Sequence, residues 1–380
     1  MWLLIAVIVF LLLILNLFQW RRDFERIRKL DAARKKISFE DLGDQAPLVS
    51  FLLAAWNEES TLRPSVDAVL HLGYPNLEIV VCAGGTDRTW QIASEFSDSR
   101  LILLNQQPGD GKQKSLARCL NRASGEIIYL LDAGGQITDS AFARMLGPIL
   151  SRNEQAVTSI PCTPFPEQLA SPFVVSQCAC RVYTSIYQPE YCSGLSGANS
   201  VIRRPALEQA GGFRAELGAG GDYDLGKHLV RAGIRIRYDA RASFPIEFHT
   251  KLGAYLRQQA RWLRTVVIHG IRFRAYREVA SCLLTSLVGL AMLVLPFLAL
   301  AAVFLGISSA IVRICATAWA IGLGHAFLSR LRYLKVAALW LGIRVHRNTV
   351  ALLPVFLLID FLAWTIPLFQ YPSKQWRHRW

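Results

Sequence analysis

Two short stretches of this sequence carry side chains that can move a proton or bind an anion. Asp222 follows a pair of glycines and offers a carboxylate that can accept a proton. Downstream, Gln258 lies three positions before Arg261 and four before Trp262, so a helix would set an amide, a cation and a large aromatic ring side by side. Each stretch also has a plain structural explanation. Asp222 could be the N-cap of a helix over Leu225–Ala232, and the second stretch could be a basic amphipathic helix at a membrane surface.

The elements that would position these residues begin with four short apolar runs, each typical of a strand that is buried on both faces of a sheet. Helical patterns lie between them. This alternation predicts a doubly wound parallel sheet, whose ligands bind at the carboxyl ends of the strands. The predicted strands are Leu48–Ala55, Leu77–Cys82, Leu101–Leu104 and Ile127–Leu131, and the predicted helices are Thr61–Leu72, Asp87–Phe96 and Gln113–Ala123.

Polar side chains follow three of these strands, as Asn57-Glu58, Thr86-Asp87 and Asp132. The strand ends carry neither the dinucleotide-binding GxGxxG motif nor the phosphate-binding GxxxxGK[ST] motif. The segment Gly109–Lys114 precedes a predicted helix, so its backbone amides and the ammonium of Lys112 could face a diphosphate. The same segment would also make an ordinary solvated turn.

Apolar segments of membrane-spanning length flank this region. Of the 380 residues, 52% are hydrophobic, but the excess is concentrated in a few zones. Each zone is near or above the roughly 17–25 residues that a bilayer requires. The first zone is interpreted as a retained anchor rather than a cleaved signal peptide, because no basic residue precedes it and Arg21 and Arg22 follow it. The zones are Trp2–Phe18, Ala280–Gly306, Ile307–Leu328 and Val350–Phe369.

The formal net charge of +14 does not indicate a nucleic-acid-binding protein. The positive charge is concentrated in strips that border the apolar zones, where anionic headgroups and the positive-inside rule favour it. These strips are Arg21–Lys36, Lys251–Arg277, Arg330–Arg347 and Ser373–Trp380. The eight cysteines lack the spacing of a zinc site. The sequence therefore predicts a membrane protein that binds no nucleic acid and uses no cysteine chemistry.

Taken together, these residues resemble the membrane glycosyltransferases of family 2, whose soluble domain has the GT-A fold. The most specific element is the QxxRW motif, present here as Gln258, Arg261 and Trp262. The resemblance covers about residues 47–264, together with the apolar segments on either side. The other matching elements are Asn57-Glu58, Thr86-Asp87, Ser196-Gly197-Ala198-Asn199, Arg203-Arg204 and Gly211-Gly212-Phe213.

The resemblance implies an α/β GT-A domain, doubly wound and similar to nucleotide-diphospho-sugar transferases, with transmembrane helices on its N-terminal and C-terminal sides. The catalytic domain is expected in the cytoplasm, at a bacterial inner membrane. The last apolar zone has basic residues on both flanks, so it would be re-entrant or an exception to the positive-inside rule. The expected layout is an anchor at 1–20, a basic juxtamembrane segment at 21–46, the catalytic domain at 47–248, interfacial helices at 249–278, two to three spans at 279–372 and a basic tail at 373–380.

The resemblance also implies a role for each matching residue. Asp222 would be the general base that takes the proton of the acceptor hydroxyl, and the attack would invert the configuration of the anomeric carbon. A divalent metal, Mg²⁺ or Mn²⁺, would lie near Asp132, while Trp262 and Tyr223 would line the acceptor side. The donor, expected to be a UDP-sugar, would be bound by Asn57, Glu58, Asp87, Lys112, Asp132, Gln258 and Arg261.

Three places depart from the family pattern. The metal motif Asp-x-Asp is reduced to Asp132-Ala133-Gly134, an aspartate beside the nucleotide base is missing at Cys82 or Ala83, and Gly221 replaces the acidic residue of the usual Thr-Glu-Asp motif. The C-terminal region has few spans and resembles ceramide-glucosyltransferase-like enzymes, so the expected acceptor is a lipid or lipid-linked hydroxyl at the membrane surface. A processive polysaccharide synthase and a catalytically silent GT-A-like binding or assembly subunit stay open as alternatives.

Overall fold

The structure of the protein is a computed structural model that describes residues 2–32, 39, 46–217, 219–306 and 308–370. The predicted basic tail at 373–380 and most of the predicted linker before residue 46 lie outside these residues. The strands are β1 Val49–Trp56, β2 Leu77–Gly84, β3 Leu101–Asn105, β4 Ile127–Leu131, β5 Ala156–Thr158, β6 Thr163–Pro164, β7 Tyr191–Cys192, β8 Asn199–Arg203, β9 Ile236–Tyr238 and β10 Pro245–Ile246. The helices are α1 Trp2–Ala32, α2 Leu62–Leu70, α3 Thr89–Ser94, α4 Gly111–Arg122, α5 Asp139–Ser151, α6 Pro172–Ile186, α7 Arg204–Gln209, α8 Gly221–Arg231, α9 Leu252–Arg272, α10 Tyr276–Phe304, α11 Ser309–Leu341, α12 Arg347–Ala351 and α13 Leu353–Gln370.

These elements fall into two compact units. The sheet unit contains the strands and helices α2–α5, α7 and α8, from the described residues of 46–165 and 187–247. The helical unit contains α1, α6 and α9–α13, from the described residues of 2–32, 166–186 and 248–370. Residues 166–186 therefore belong to the helical unit, although they lie within the predicted catalytic domain in the sequence.

The main sheet confirms the four predicted strands and their parallel arrangement. Strands β1–β4 pair in the order β3-β2-β1-β4, and each of these pairs is parallel. The sheet continues as β8-β5-β9-β7, in which β8 runs antiparallel to both β4 and β5. The whole sheet is therefore mixed. Regular alternation of strand and helix ends after α5, which is why the sequence pattern predicts the parallel half alone.

Two apolar layers cover the two faces of the sheet, because consecutive side chains of a strand point to opposite faces. Phe51 and Leu53 of β1 face the layer formed with α2, α3 and α5, whereas Leu52 faces the layer formed with α4, α7 and α8. Phe51 stacks on Tyr129 of β4 with the ring centroids 4.6 Å apart, and both rings are fully buried. A Phe51→Ala substitution would therefore cost about 3–5 kcal/mol of stability. The doubly wound arrangement is confirmed.

Buried ion pairs connect the helices of the helical unit. Arg332 on α11 donates to Asp23 of α1 at 2.8 Å and to the Tyr183 hydroxyl of α6 at 2.7 Å. Arg330, also on α11, pairs with Asp360 of α13. Because these charged groups are buried, removing one partner would leave an uncompensated charge, at a cost of about 3–5 kcal/mol.

Two helices in the described part of the chain, α10 and α11, are long and apolar enough to cross a membrane. Helix α13 is apolar but shorter. Large apolar side chains are exposed on these helices, for example Phe297, Phe304 and Ile314, as expected for surfaces that lipid covers. Helix α1 runs without a break from Trp2 to Ala32, so the predicted anchor and the first part of the juxtamembrane segment form one helix. Its role as an anchor stays a prediction.

Candidate functional site

At the carboxyl edge of the sheet, Asn57 and Asp87 tie together the loops that follow β1 and β2. Asn57 has a left-handed backbone with φ 59°, which asparagine tolerates better than most residues, and its Oδ1 accepts from the Thr86 N–H at 2.7 Å. Asp87 accepts from the Thr89 N–H at 3.0 Å, the Thr89 hydroxyl at 2.6 Å and the Glu59 N–H at 3.2 Å. Burial would raise the pKa of Asp87, but these hydrogen bonds lower it below its usual value. Asn57 and Asp87, which were both predicted to bind the donor, therefore form hydrogen bonds within these loops.

Glu58 lies among other charged side chains at the same edge. Burial raises the pKa of Glu58, and the nearby carboxylates of Asp132 and Glu247 raise it further. A hydrogen bond from the Thr61 hydroxyl at 2.7 Å and the ammonium of Lys112 oppose this rise. The edge therefore gathers three carboxylates around one lysine.

Lys112 lies between the carboxylate of Asp132, which follows β4, and the start of α8. Lys112 is the second residue of α4, and its ammonium forms an ion pair with Asp132. A β-carbon placed on Gly197 would lie 3.4 Å from Lys112 Nζ and 3.6 Å from Asp222 Oδ2. Lys112 and Asp222 therefore come together over Gly197, where a larger residue would crowd them. The side chains of Lys112 and Asp132 are 43% and 39% exposed, so a ligand can reach them.

Asp222 lies inside helix α8 rather than at its cap. The N-cap is Gly220, whose left-handed backbone with φ 74° favours glycine, and Asp222 is the second helical residue. The interpretation of Asp222 as the N-cap is therefore wrong. Its Oδ1 accepts from the Tyr223 N–H at 2.9 Å, and the residue is exposed. The first turn of a helix favours a negative charge, so this position suits a carboxylate that meets a ligand.

Tyr223 is held by a lysine one turn later on α8. The ammonium of Lys227 lies 4.9 Å from the centroid of the Tyr223 ring, within cation–π distance. The same ammonium donates to the Ser193 hydroxyl at 3.1 Å. Because Lys227 is buried, these contacts fix the ring beside Asp222, where the acceptor side was predicted.

The segment 109–114, predicted to face a diphosphate, does lie at a helix N-terminus, because α4 begins within it. Asp110, the N-cap residue of α4, brings a carboxylate of the protein to this end of the helix without capping its backbone amides. Asp110 is buried and pairs with Lys114 at 2.8 Å and with Arg118 at 2.9 Å. Lys112 is therefore the lysine of this segment that faces the group around Asp132.

The structure has a carboxylate, that of Asp132, at the position where a metal was predicted. Within the described ranges, no group of three or more histidine, cysteine, aspartate or glutamate side chains is arranged to hold a metal ion. A β-carbon on Gly134 would lie 3.9 Å from Glu247 Cβ. Carboxylate oxygens suit Mg²⁺ or Mn²⁺, and Mg²⁺ is commonly held by one or two carboxylates together with substrate phosphates and water. Asp132 is one such carboxylate, paired here with Lys112, and a metal at this position stays a prediction.

Gln258, Arg261 and Trp262 lie on α9 of the helical unit, so the predicted helix is confirmed and extends to Arg272. Tyr255, one turn before Gln258, donates its hydroxyl proton to Asp360 of α13. Gln258 and Arg261 are half-buried, and Trp262 is 41% exposed. All three side chains thus lie on a helix that this hydrogen bond fixes to α13. Their roles in donor and acceptor binding stay predictions.

Sequence reasoning did not identify the side chains that surround Trp262. Arg181 on α6 places its guanidinium carbon 5.6 Å from the Trp262 ring centroid and 5.5 Å from that of Phe248. Burial lowers the pKa of His249, and the neighbouring guanidinium groups, that of Arg261 first, lower it further. One signal was available, because Arg181 is the only charged residue of the otherwise uncharged α6, and a lone charge on such a helix requires a partner.

The fold of the chain is similar to that of a solved glycosyltransferase. The structure of the mannosyltransferase PcManGT from Pyrobaculum calidifontis, in complex with GDP-Man and Mn²⁺, aligns with a TM-score of 0.52 and 16% sequence identity. The alignment covers 97% of this chain and 100% of that chain. At this identity the likeness concerns the fold, and it defines the class of the protein as a GT-A-type glycosyltransferase fold.

Residues 46–265 match the family described as "Glycosyltransferase like family 2". The match covers more than half of the chain. The protein therefore belongs to glycosyltransferase family 2, as the sequence predicted.

Several curated proteins are similar to part of this chain. Poly-β-1,6-N-acetyl-D-glucosamine synthase of Staphylococcus epidermidis is 25% identical over 221 residues, which are 56% of this chain and 53% of that protein. β-Monoglucosyldiacylglycerol synthase of Nostoc sp. is 23% identical over 197 residues, which are 48% of this chain and 42% of that protein. A glucosyltransferase of Escherichia coli, named for α-D-GlcNAc-diphosphoundecaprenol, is 34% identical over 87 residues, which are 23% of this chain and 35% of that protein. The chain spans about half the length of the first of these relatives.

Proposed function

We propose that the protein is an inverting glycosyltransferase that moves a sugar from a nucleotide-diphosphate donor to a lipid or lipid-linked hydroxyl. The observation that supports this proposal most directly is the placement of Asp222 and Lys112 side by side over Gly197. A carboxylate that accepts a proton and an ammonium that neutralises a leaving diphosphate are the two groups that such a transfer requires at its reacting centre.

In the proposed reaction Asp222 is the general base. Its carboxylate takes the proton of the acceptor hydroxyl while the hydroxyl oxygen bonds to the anomeric carbon, and the bond from that carbon to the diphosphate oxygen breaks. Because attack comes from the side opposite the diphosphate, the configuration inverts. A positioned base contributes about 10²–10⁴-fold to such a step.

The negative charge that develops on the diphosphate requires cations. Lys112 is the cation of the sheet unit, and a divalent metal bound at Asp132 would supply further charge neutralisation. Gln258 and Arg261 are proposed as diphosphate ligands from α9. Glu58 is proposed to contact the donor, while Asn57 and Asp87 shape the loops that receive it.

A lipid acceptor at the membrane surface is supported by the helical unit. Helices α10 and α11 are long enough to cross a bilayer. Basic strips border the apolar segments, and by the positive-inside rule this supports a cytoplasmic side for those flanks in a bacterial cell. Trp262 and Tyr223 are proposed to line the acceptor side. The relatives from Nostoc and E. coli are named for lipid products or acceptors, and the latter for a UDP-glucose donor, which favours a UDP-sugar here.

A transfer assay with the full chain tests the proposal. The purified protein in liposomes of bacterial lipids is supplied with UDP-glucose, UDP-N-acetylglucosamine or GDP-mannose, each radiolabelled in the sugar. Diacylglycerol or a diphosphoundecaprenol-linked sugar serves as the added acceptor. We expect one UDP-sugar to label the lipid fraction, with an inverted anomeric configuration by NMR. A chain that labels neither lipid nor glycan with any donor would contradict the proposal.

A processive synthase is a second candidate, which the resemblance to the S. epidermidis polysaccharide synthase favours. Product length in the same assay separates the two, because a single transfer gives one labelled species and polymerisation gives a ladder on a gel. Calorimetry with UDP or GDP, with and without Mn²⁺, addresses the silent-subunit alternative. Absence of binding under every condition would support that alternative.

A further inference from the structure

We propose that Gln113 is a positioning residue for Asp222, because its side chain fills the space that a side chain at position 221 would take. This inference rests on the proposed function for the role of Asp222, but the contact between Gln113 and Gly221 is independent of it. Gly221 is the first residue of α8 and is buried, and Gln113 is the third residue of α4 and is 7% exposed.

The two residues are in close contact. A β-carbon on Gly221 would lie closer than 3.0 Å to Cδ, Nε2 and Oε1 of Gln113, a separation that real β-carbons essentially never show. The carboxamide therefore packs directly on the α-carbon that precedes Asp222. A side chain at position 221 would require the end of the Gln113 side chain to move, and burial of Gln113 restricts that movement.

The backbone does not explain why residue 221 is glycine. The φ angle of Gly221 is not in the positive range that favours glycine, in contrast to that of its neighbour Gly220. Alanine could adopt the same conformation, and alanine is a better helix former than glycine. The contact with Gln113 is the one that a side chain at this position would disturb.

Helix α4 presents adjacent residues to the start of α8. Lys112 faces Asp222 across Gly197, and Gln113 packs on Gly221. Further along α8, a β-carbon on Gly226 would lie 2.9 Å from the backbone nitrogen of Leu195. The helix that carries Asp222 therefore contacts two neighbours, by backbone at Gly226 and by the Gln113 side chain at Gly221.

Glycine at position 221, in place of the acidic residue of the usual motif, also changes the charge beside the proposed base. The usual Thr-Glu-Asp motif places a carboxylate immediately before the aspartate, whereas this chain brings in the neutral amide of Gln113 from another helix. An amide has nearly the shape of a carboxylate and can both donate and accept hydrogen bonds. Gln113 thus holds Asp222 in place without a second negative charge next to it.

A double-mutant cycle on the full-length protein in detergent tests the contact. In the wild-type background, Gly221→Ala should lower the Tm by roughly 2–8 °C, because the added methyl group overlaps Gln113. In the Gln113→Ala background, the same substitution should leave the Tm unchanged or raise it. Gly324→Ala on α11 is the matched control, because its β-carbon would meet no atom within 4 Å. Equal losses from Gly221→Ala in both backgrounds would overturn the proposed contact.

The transfer assay tests the positioning role. Gln113→Ala should lower kcat by roughly ten- to a hundredfold, since a small displacement of a catalytic group is costly. Gln113→Glu should move the acid limb of the pH–rate profile upward by about one unit, because a carboxylate beside Asp222 disfavours its ionisation. A loss of packing alone would not move that limb.

A Gln113→Glu profile that coincides with the wild type, or wild-type kcat in Gln113→Ala, would overturn the positioning role. A wild-type chain that transfers no sugar would overturn the proposed function and this role with it. The Tm cycle would still decide whether Gln113 and Gly221 are in contact, so the two failures are distinguishable.

Discussion

Asp87 and Asp222 have similar local sequences but different surroundings. Asp87 follows Gly84-Gly85-Thr86, and Asp222 follows Gly220-Gly221. The carboxylate of Asp87 accepts three hydrogen bonds from the loops after β1 and β2. The carboxylate of Asp222 accepts from the neighbouring N–H at 2.9 Å, and its other oxygen lies beside Gly197, near the ammonium of Lys112.

The difference separates a structural carboxylate from a candidate reactive one. A carboxylate whose oxygens are bonded within its own loops stabilises those loops, since charged hydrogen bonds are each worth about 1.5–3 kcal/mol. An exposed carboxylate near an ammonium can exchange a proton with a ligand. Both aspartates follow a glycine pair, Asp222 directly and Asp87 after Thr86, so this distinction requires the tertiary structure.

The largest expected effect comes from Asp222→Asn, which removes the proposed base but keeps the size of the side chain. We expect the transfer rate to fall by about 10³-fold, with little change in Tm. Radiolabelled transfer and thermal unfolding of the same preparation measure both quantities. Asp67→Asn on α2 is the control and should retain wild-type activity. Substantial turnover by Asp222→Asn would remove Asp222 from the base role.

Lys112→Ala should have the next largest effect, because it removes the ammonium from the space shared with Asp222. We expect a loss of about 10²-fold in kcat, as for removal of one charge-stabilising donor. The matched control is Lys114→Ala, whose lysine pairs with Asp110 instead. Equal losses in the two variants would show a general effect of charge on α4. A titration with MnCl₂ should show a stronger dependence on metal in Lys112→Ala than in the wild type.

Asp87→Asn should affect stability more than chemistry. The substitution replaces a charged acceptor of three hydrogen bonds by a neutral one, so the stability should fall by about 1–2 kcal/mol. The transfer rate per folded molecule should fall by much less than in Asp222→Asn. A loss of transfer as large as that of Asp222→Asn, without a loss of Tm, would restore Asp87 to a direct role in donor binding.

The smallest expected effect is a pH-dependent gain in stability from Glu58→Gln. Burial raises the pKa of Glu58, so its favourable contribution is complete below the unfolded pKa and is lost as the pH rises through the folded pKa. Glutamine carries no charge at any pH. The variant should therefore exceed the wild type in Tm by about 1–3 °C near neutral pH, and the gain should vanish near about pH 4. A gain that grows on acidification would contradict this sign.

Much of the sheet unit can be predicted from local pattern. Strand β4 was predicted at its observed bounds, because a continuous apolar run between polar residues is typical of a buried strand. The predicted start of α8 was wrong, because Gly220 is the N-cap. Its left-handed backbone is a conformation that glycine permits but that the sequence does not require. The antiparallel direction of β8 follows from pairing with β4 and β5, which no local pattern encodes.

The candidate site was predictable in its residue types but not in its partners. The resemblance to family 2 identified Lys112, Asp132 and Asp222, and the structure brings these three side chains together. It did not identify Gln113 or Arg181, because each contacts a residue far away in the sequence. Such contacts depend on the packing of helices, which hydrophobic periodicity does not determine.

The buried position of Arg332 has a consequence for biogenesis. Its partners Asp23 and Tyr183 lie on α1 and α6, which the ribosome makes long before α11. Since synthesis proceeds from the N-terminus, Asp23 and Tyr183 are made before the guanidinium that binds both of them. A nascent chain that ends before residue 332 lacks that guanidinium, so this link among α1, α6 and α11 forms late in synthesis.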